Sequence, residues 1–137
     1  MLAQAGVPVG VNVMPVIPGL TDHEMPAILA AAAAAGAKRA GYVMLRLPYA
    51  VKDIFQSWLD LHVPGKKARI LDRVRAMRGG KLNVSEWGTR MRGEGILADQ
   101  ISELFKVSAR RAGLNQERFE HSTTSFRRPG GEQLTLF

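Results

Sequence analysis

Residues 7–24, VPVGVNVMPVIPGLTDHE, followed across an alanine-rich stretch by residues 39–48, RAGYVMLRLP, decide the fold. Residues 7–17 set valines among small residues, the composition of a strand buried on both faces. Pro15 has no N–H for a ladder and ends the regular pairing. Pro18-Gly19 is a turn, and Thr21-Asp22-His23-Glu24 has the capping-box pattern that opens a helix, with Pro26 near its first turn. Met25, Ile28 and Leu29 supply the apolar side. Residues 30–35 are all alanine, the best helix former, small enough to lie close to a sheet, and Gly36 ends the helix. Residues 39–47 form a second apolar strand, closed by Pro48. Strand, helix and strand in this compass make a βαβ unit, hence a parallel pair. Ligands of parallel sheets sit beyond the carboxyl ends of the strands, which here are residues 14–19 and 46–49.

Downstream the pattern turns helical. Val51, Ile54, Phe55, Trp58 and Leu59 fall on one face. Ile70, Leu71, Val74 and Met77 form a second stripe flanked by basic residues, stopped by Gly79-Gly80. A glycine-punctuated loop follows, then a third stripe of Leu97, Ile101, Leu104, Phe105 and Ser108, ended by Gly113. At the other end, residues 1–5 read as the last turn of a helix with Gly6 as its stop. The organisation expected is a βαβ portion over residues 1–49, a helical basic extension over 50–126 and a flexible tail over 127–137.

The chain has no cysteine, so it holds no disulfide, zinc–thiolate site or iron–sulfur cluster through thiolates of its own. His23, His62 and His121 stand far apart, without the convergent partners a metal needs, and read as surface or cap residues. No apolar run approaches the roughly 18 residues of a membrane span, and no basic stretch precedes an apolar one as in a signal peptide, so a soluble, cytoplasmic protein is expected. The net charge of +7 is localised: residues 1–60 carry four basic and four acidic side chains, residues 93–137 six of each, and residues 66–92 nine basic against Asp72 and Glu86. Such an excess speaks for a polyanionic partner, or for a solvated basic helix.

VGVNVMPVIPGLTDHE with RAGYVMLRLP closely resembles the last two strands of the partial (β/α)6 TIM-like barrel of radical S-adenosylmethionine (SAM) proteins. AMRGGK (76–81) and GTRMRGEG (88–95) look like the tail of a bacterial group related to spore photoproduct lyase. The resemblance implies that the chain is the carboxy-terminal half of such an enzyme. In that family a CxxxCxxC loop early in the barrel holds a 4Fe–4S cluster that cleaves SAM to a 5′-deoxyadenosyl radical, chemistry that belongs to the cofactor. The cysteines are absent here, so SAM and the 4Fe–4S cluster are expected in the parent protein and neither is held by this chain alone. The missing amino-terminal half of the barrel becomes an expected partner. By the same resemblance, Asn12, Met14, Pro18 and Gly19 would line the adenosine side of the SAM pocket. Asn12 interrupts an apolar strand, and its amide would bond either the cofactor or a neighbouring loop. Arg46 stands near the carboxyl end of the second strand. It could hold the SAM carboxylate, contact a substrate phosphate, or pair internally with Asp22 or Glu24.

A repair-like lyase must grip DNA, and a non-catalytic DNA-binding module reads from the same residues. Arg75, Arg78, Lys81, Arg90 and Arg92 could neutralise phosphates, and Trp87 offers a face for a base. Gly88 and Gly93 are spaced as in a nucleotide-binding P-loop, but Glu94-Gly95 stands where Lys-Ser/Thr is required.

The chain ends in QLTLF, residues 133–137, after RRPGG. It closely resembles the QLxLF motif by which bacterial polymerases and repair proteins hold the sliding clamp. The resemblance implies that Gln133 bonds at the pocket rim while Leu134, Leu136 and Phe137 enter an apolar cleft; the competing reading folds these residues back as an edge strand. Burying two leucines and a phenylalanine contributes about 1.5–3 kcal/mol each, less the ordering of the tail, which predicts binding on the order of micromolar. A peptide of residues 127–137 should therefore bind purified bacterial clamp, and Phe137→Ala should abolish binding. Equal binding by both peptides, or none at high micromolar concentration, would refute the clamp reading.

Overall fold

The computed structural model describes residues 2–117 together with Thr124 and Phe126. Gln133, Leu134, Leu136 and Phe137 lie outside the described residues, as does His121. Strand β1 (Gly10–Val16) and strand β2 (Arg39–Met44) pair in parallel, joined by helix α1 (Met25–Ala34). The chain is thus of mixed α/β class, with a two-stranded sheet. Asn12 lies opposite Gly41 and Val13 opposite Tyr42, and the register slips between Val13 and Val16, where Pro15 brings no N–H to the ladder.

Two local expectations are corrected. First, β1 is not buried on both faces. Val13 and Val16 are buried, whereas Gly10, Asn12 and Met14 are exposed, because the described helices cover one side of the sheet only. Second, the capping box does not form. The Thr21 hydroxyl accepts the Ile17 N–H at 2.9 Å, closing the Pro18-Gly19 turn. A 3-10 turn (Asp22–Glu24) then precedes α1, which has no side-chain cap. Pro26 falls in the first turn of α1, where a missing N–H is harmless. Gly36 ends the helix as expected. Its φ is 94°, Gly36 N–H donates to Ala33 O and Ala37 N–H to Ala32 O, both at 2.9 Å, the paired bonds of a Schellman stop.

Helices α2 (Val51–His62), α3 (Lys67–Ala76) and α4 (Ile96–Arg111) follow. α3 buries Ile70, Leu71 and Val74, with Met77 just beyond it, the stripe read from the sequence. The α2 face is divided. Leu59 is buried and Phe55 half-buried against α3, but Val51, Ile54 and Trp58 are exposed. One core spans residues on both sides of Tyr49. Val13, Val16, Met25, Leu29 and Met44 share one cluster with Met77, Ala98, Ile101, Ala109 and Leu114. Tyr42 and Phe105 meet within it at 4.8 Å between ring centres. A second layer packs Val74 of α3 against Leu45 and Leu47, with Ile17 and Phe55 alongside, so the α2–α3 pair is fastened beneath the carboxyl ends of the strands. No described helix is long and apolar enough to cross a membrane.

The outer edge of β2 is occupied by backbone and side chain from later in the chain. Ala40 N–H donates to Asn115 Oδ1 at 2.9 Å, and Asn115 Nδ2 donates to Ala40 O at 3.0 Å. Asn115 N–H also donates to Lys38 O at 3.0 Å, and Met44 N–H to Met91 O at 2.9 Å. Asn115 adopts φ 58°, a conformation asparagine tolerates better than most residues, immediately after the Schellman stop at Gly113. Its amide thus imitates a third strand for one residue. Asn115→Gly leaves the backbone free to adopt this conformation and removes both side-chain bonds. It should lower stability by about 1–2 kcal/mol, from about 0.5–1.5 kcal/mol per bond, read as a lower urea midpoint. Asn115→Ala should lose more, because alanine adds left-handed strain. An unchanged midpoint in the glycine variant would show that the clip contributes nothing.

Candidate functional site

The carboxyl ends of both strands are built over by α3 and the loop behind it. The turn after β1 buries Pro18 and puts Gly19 at φ 79°. A β-carbon at Gly19 would run into the guanidinium of Arg73, which lies across the turn. Beyond β2, Arg46 is half-buried, and its Nη1 finds only the Met91 sulfur at 3.8 Å. Neither Asp22 nor Glu24 pairs with it. Among the described residues the ion pairs are Lys67–Asp60, Arg75–Asp72 and Lys106–Glu103.

Arg78, read from the sequence as a surface contact to nucleic acid, is 2% exposed. Its Nη2 donates to Leu45 O at 2.7 Å, which fixes the guanidinium against the strand end. Its Nε and Nη1 are buried without a hydrogen-bond partner, and so is Nε of Arg46. Burial lowers the Arg78 pKa, and the nearby positive charge of Arg46 lowers it further. No carboxylate among the described residues offsets either effect. The spacing of Arg78 held a signal of this placement. Leu71, Val74 and Arg78 follow one another at the helical intervals of three and four, so Arg78 continues the buried stripe of α3.

On the open face of the sheet stand Asn12 and Met14. Asn12 is exposed rather than buried, and its amide bonds neither a loop nor any other described residue. It lies over Gly41: a β-carbon there would come within 2.6 Å of Asn12 Oδ1. The five residues assigned to the cofactor therefore divide into an open face (Asn12, Met14), a turn (Pro18, Gly19) and a cation past the second strand (Arg46).

The glycine loop carries the remaining candidates. Trp87 is 85% exposed, and Arg90 covers one face of its indole at 4.0 Å, leaving the other face free. Lys81 and Arg92 are exposed, whereas Arg75 is engaged by Asp72 at 2.9 Å. A groove of about 320 Å³ lies within this loop, lined by Arg78, Lys81 and Thr89 together with the carboxylates of Glu86 and Glu94. A larger cleft of about 770 Å³ lies at the amino ends of the strands, lined by Gly10, Gly36, Lys38 and Arg39. That is the end at which parallel sheets rarely bind ligands, and none of the candidate site residues read from the sequence lines it. His23 and His62 belong to no metal-ligating group among the described residues, and the His62 ring packs 5.1 Å from that of Trp58.

Tyr49 went unnoticed in the sequence. It is 93% exposed and holds φ 48°, in the tight passage from β2 to α2. Nothing in its neighbours' spacing announces this conformation. Comparisons with known protein families, curated proteins and solved structures find no match to this chain.

Gly19→Ala should cost about 1–2 kcal/mol, combining left-handed strain with displacement of Arg73. In an Arg73→Ala background the loss should shrink, leaving the backbone strain. Urea unfolding of the four proteins of this cycle measures the coupling, and full additivity would show that Arg73 does not rest on the turn.

Proposed function

We propose that the chain is the carboxy-terminal part of a radical SAM enzyme that acts on DNA, its partial barrel continuing the two parallel strands. The observation that carries this reading is the way the basic segment is folded back. Arg73 covers the Gly19 turn and Arg78 grips the Leu45 carbonyl, so cations of the helical extension gather at the strand ends where such a site would be. The loop bearing Trp87 and Arg90 is tied to the same strand through Met91.

The residues present do not fit the cluster, since a thiolate-ligated 4Fe–4S centre needs cysteines and the chain has none. That role falls to a segment preceding this one. The residues do fit the nucleoside half of SAM. An unpartnered Asn12 amide lying over Gly41 offers one polar contact on the open face of the sheet. SAM bound there would supply the hydrogen-abstracting chemistry. This chain's part is to orient the nucleoside against β1 and hold a polyanionic substrate nearby, with Trp87 stacking a base on its free face.

The second reading, a DNA-binding and clamp-interacting module without catalysis, draws on the exposed Trp87–Arg90 pair with Lys81 and Arg92, and on the QLTLF motif, which lies outside the described residues. Iron separates the two. Joined to its upstream coding segment and reconstituted anaerobically, the protein should gain a stoichiometric brown chromophore and cleave SAM on reduction, while the 137-residue chain stays colourless. A joined protein that binds no iron would exclude the enzyme reading. A chromophore stoichiometric with the short chain would overturn the assignment of the cluster to another segment.

A further inference from the structure

We propose that Arg46 and Arg78 form a binding site for a phosphate monoester at the carboxyl end of the sheet. Three buried nitrogens here, Nε and Nη1 of Arg78 and Nε of Arg46, lack a hydrogen-bond partner among the described residues. A buried guanidinium is ordinarily paired with a carboxylate, because an uncompensated charge is costly to remove from water. Neither arginine has one among the described residues, although the chain pairs three other cations on its surface. Arg78 is also anchored. The bond from Nη2 to Leu45 O at 2.7 Å holds one arm of the fork and leaves its other donors unused.

The charge and the donors choose the ligand class. A carboxylate brings one negative charge and two oxygens, enough for one arginine. A terminal phosphate carries about −1.5 to −2 charges near neutrality and three acceptor oxygens, which suits two guanidinium groups with three free donors. Arg73, on the adjoining Gly19 turn, adds positive charge at the same end of the sheet. Entry is by way of Arg46. It is only half-buried and is restrained by a single long contact to sulfur, so it can turn aside, and the groove past Lys81 reaches the same Arg78. Two sources present this group, the phosphorylated end of a nucleic-acid strand and a free phosphate or mononucleotide. The site shares Arg46 with the enzyme reading but uses neither cluster nor SAM, so it stands or falls separately.

The test uses the 137-residue chain labelled with ¹⁵N at arginine, followed through its Nε–H resonances at constant ionic strength. Inorganic phosphate, a 5′-phosphorylated oligonucleotide, the same oligonucleotide without its phosphate, and acetate are titrated in turn. Both phosphate ligands should shift the Arg46 and Arg78 signals saturably, and acetate and the unphosphorylated strand should not. Tighter binding of the phosphorylated strand than of inorganic phosphate would identify a strand end as the source, and the reverse order a free phosphate. Arg46→Gln and Arg78→Met, checked for folding by circular dichroism, should each weaken phosphate binding about tenfold or more. If either variant fails to fold, the wild-type shifts still decide. Signals that stay still, drift without saturating, or respond equally to acetate would overturn the proposal.

Discussion

Two parallel strands cannot stand by themselves. Each has a second edge of N–H and C=O groups and two faces, and a ladder this small does not repay the ordering of its own backbone. The remaining described chain answers part of that deficit, leaving the face of Asn12 and Met14 open. α1 and α4 close one face through Leu29, Ile101 and Ala109. Val74 and its neighbours close the carboxyl end around Leu45 and Leu47. The outer edge of β2 is met by Asn115 at Ala40 and by the Met91 carbonyl at Met44. Residues distant in sequence reach the strand ends because the strands need covering there, and the candidate site is assembled from the covering pieces.

The electrostatics are governed by burial more than by the net charge of +7. The ion pairs Arg75–Asp72 and Lys106–Glu103 lie in solvent, where such pairs contribute between nothing and about 1 kcal/mol. Arg78 differs because its guanidinium is removed from water beside a second cation. The charged form of Arg78 opposes folding at every pH below its lowered pKa. That penalty is full below the lowered value and is relieved as pH rises from it toward the ordinary arginine value, or when an anion arrives. A fold that tolerates this arrangement keeps in reserve free energy that an anionic ligand can recover.

The sequence was most informative where local chemistry decides. The βαβ order, the stops at Gly36 and Gly113 and the buried stripe of α3 follow from period, glycine and helix propensity, and all stand in the structure. It was least informative where a distant partner decides. Thr21 had two uses for one hydroxyl, and the nearby Ile17 N–H took it. The apolar face of α2 was read whole, yet α3 reaches only its Phe55 and Leu59 side. Asn12 looked buried because its neighbours are valines, but strand alternation turns it to the uncovered face. Asn115 carries no mark of its role at all, since a single amide clipping a strand edge has no spacing rule. The placement of Arg78 was legible in its helical interval, although its lack of a counter-charge was not.

The bond from Met44 N–H to Met91 O links two things that are otherwise unrelated, the integrity of a strand edge and the posture of the loop that carries Trp87 and Arg90. Lifting that loop would break the bond and bare one N–H of the edge, while Asn115 still holds Ala40. The Met44 amide proton would then report the lifted state, and anything that presses the loop down would slow its exchange. A loop that carries an exposed ring also guards one position at which a foreign strand could pair.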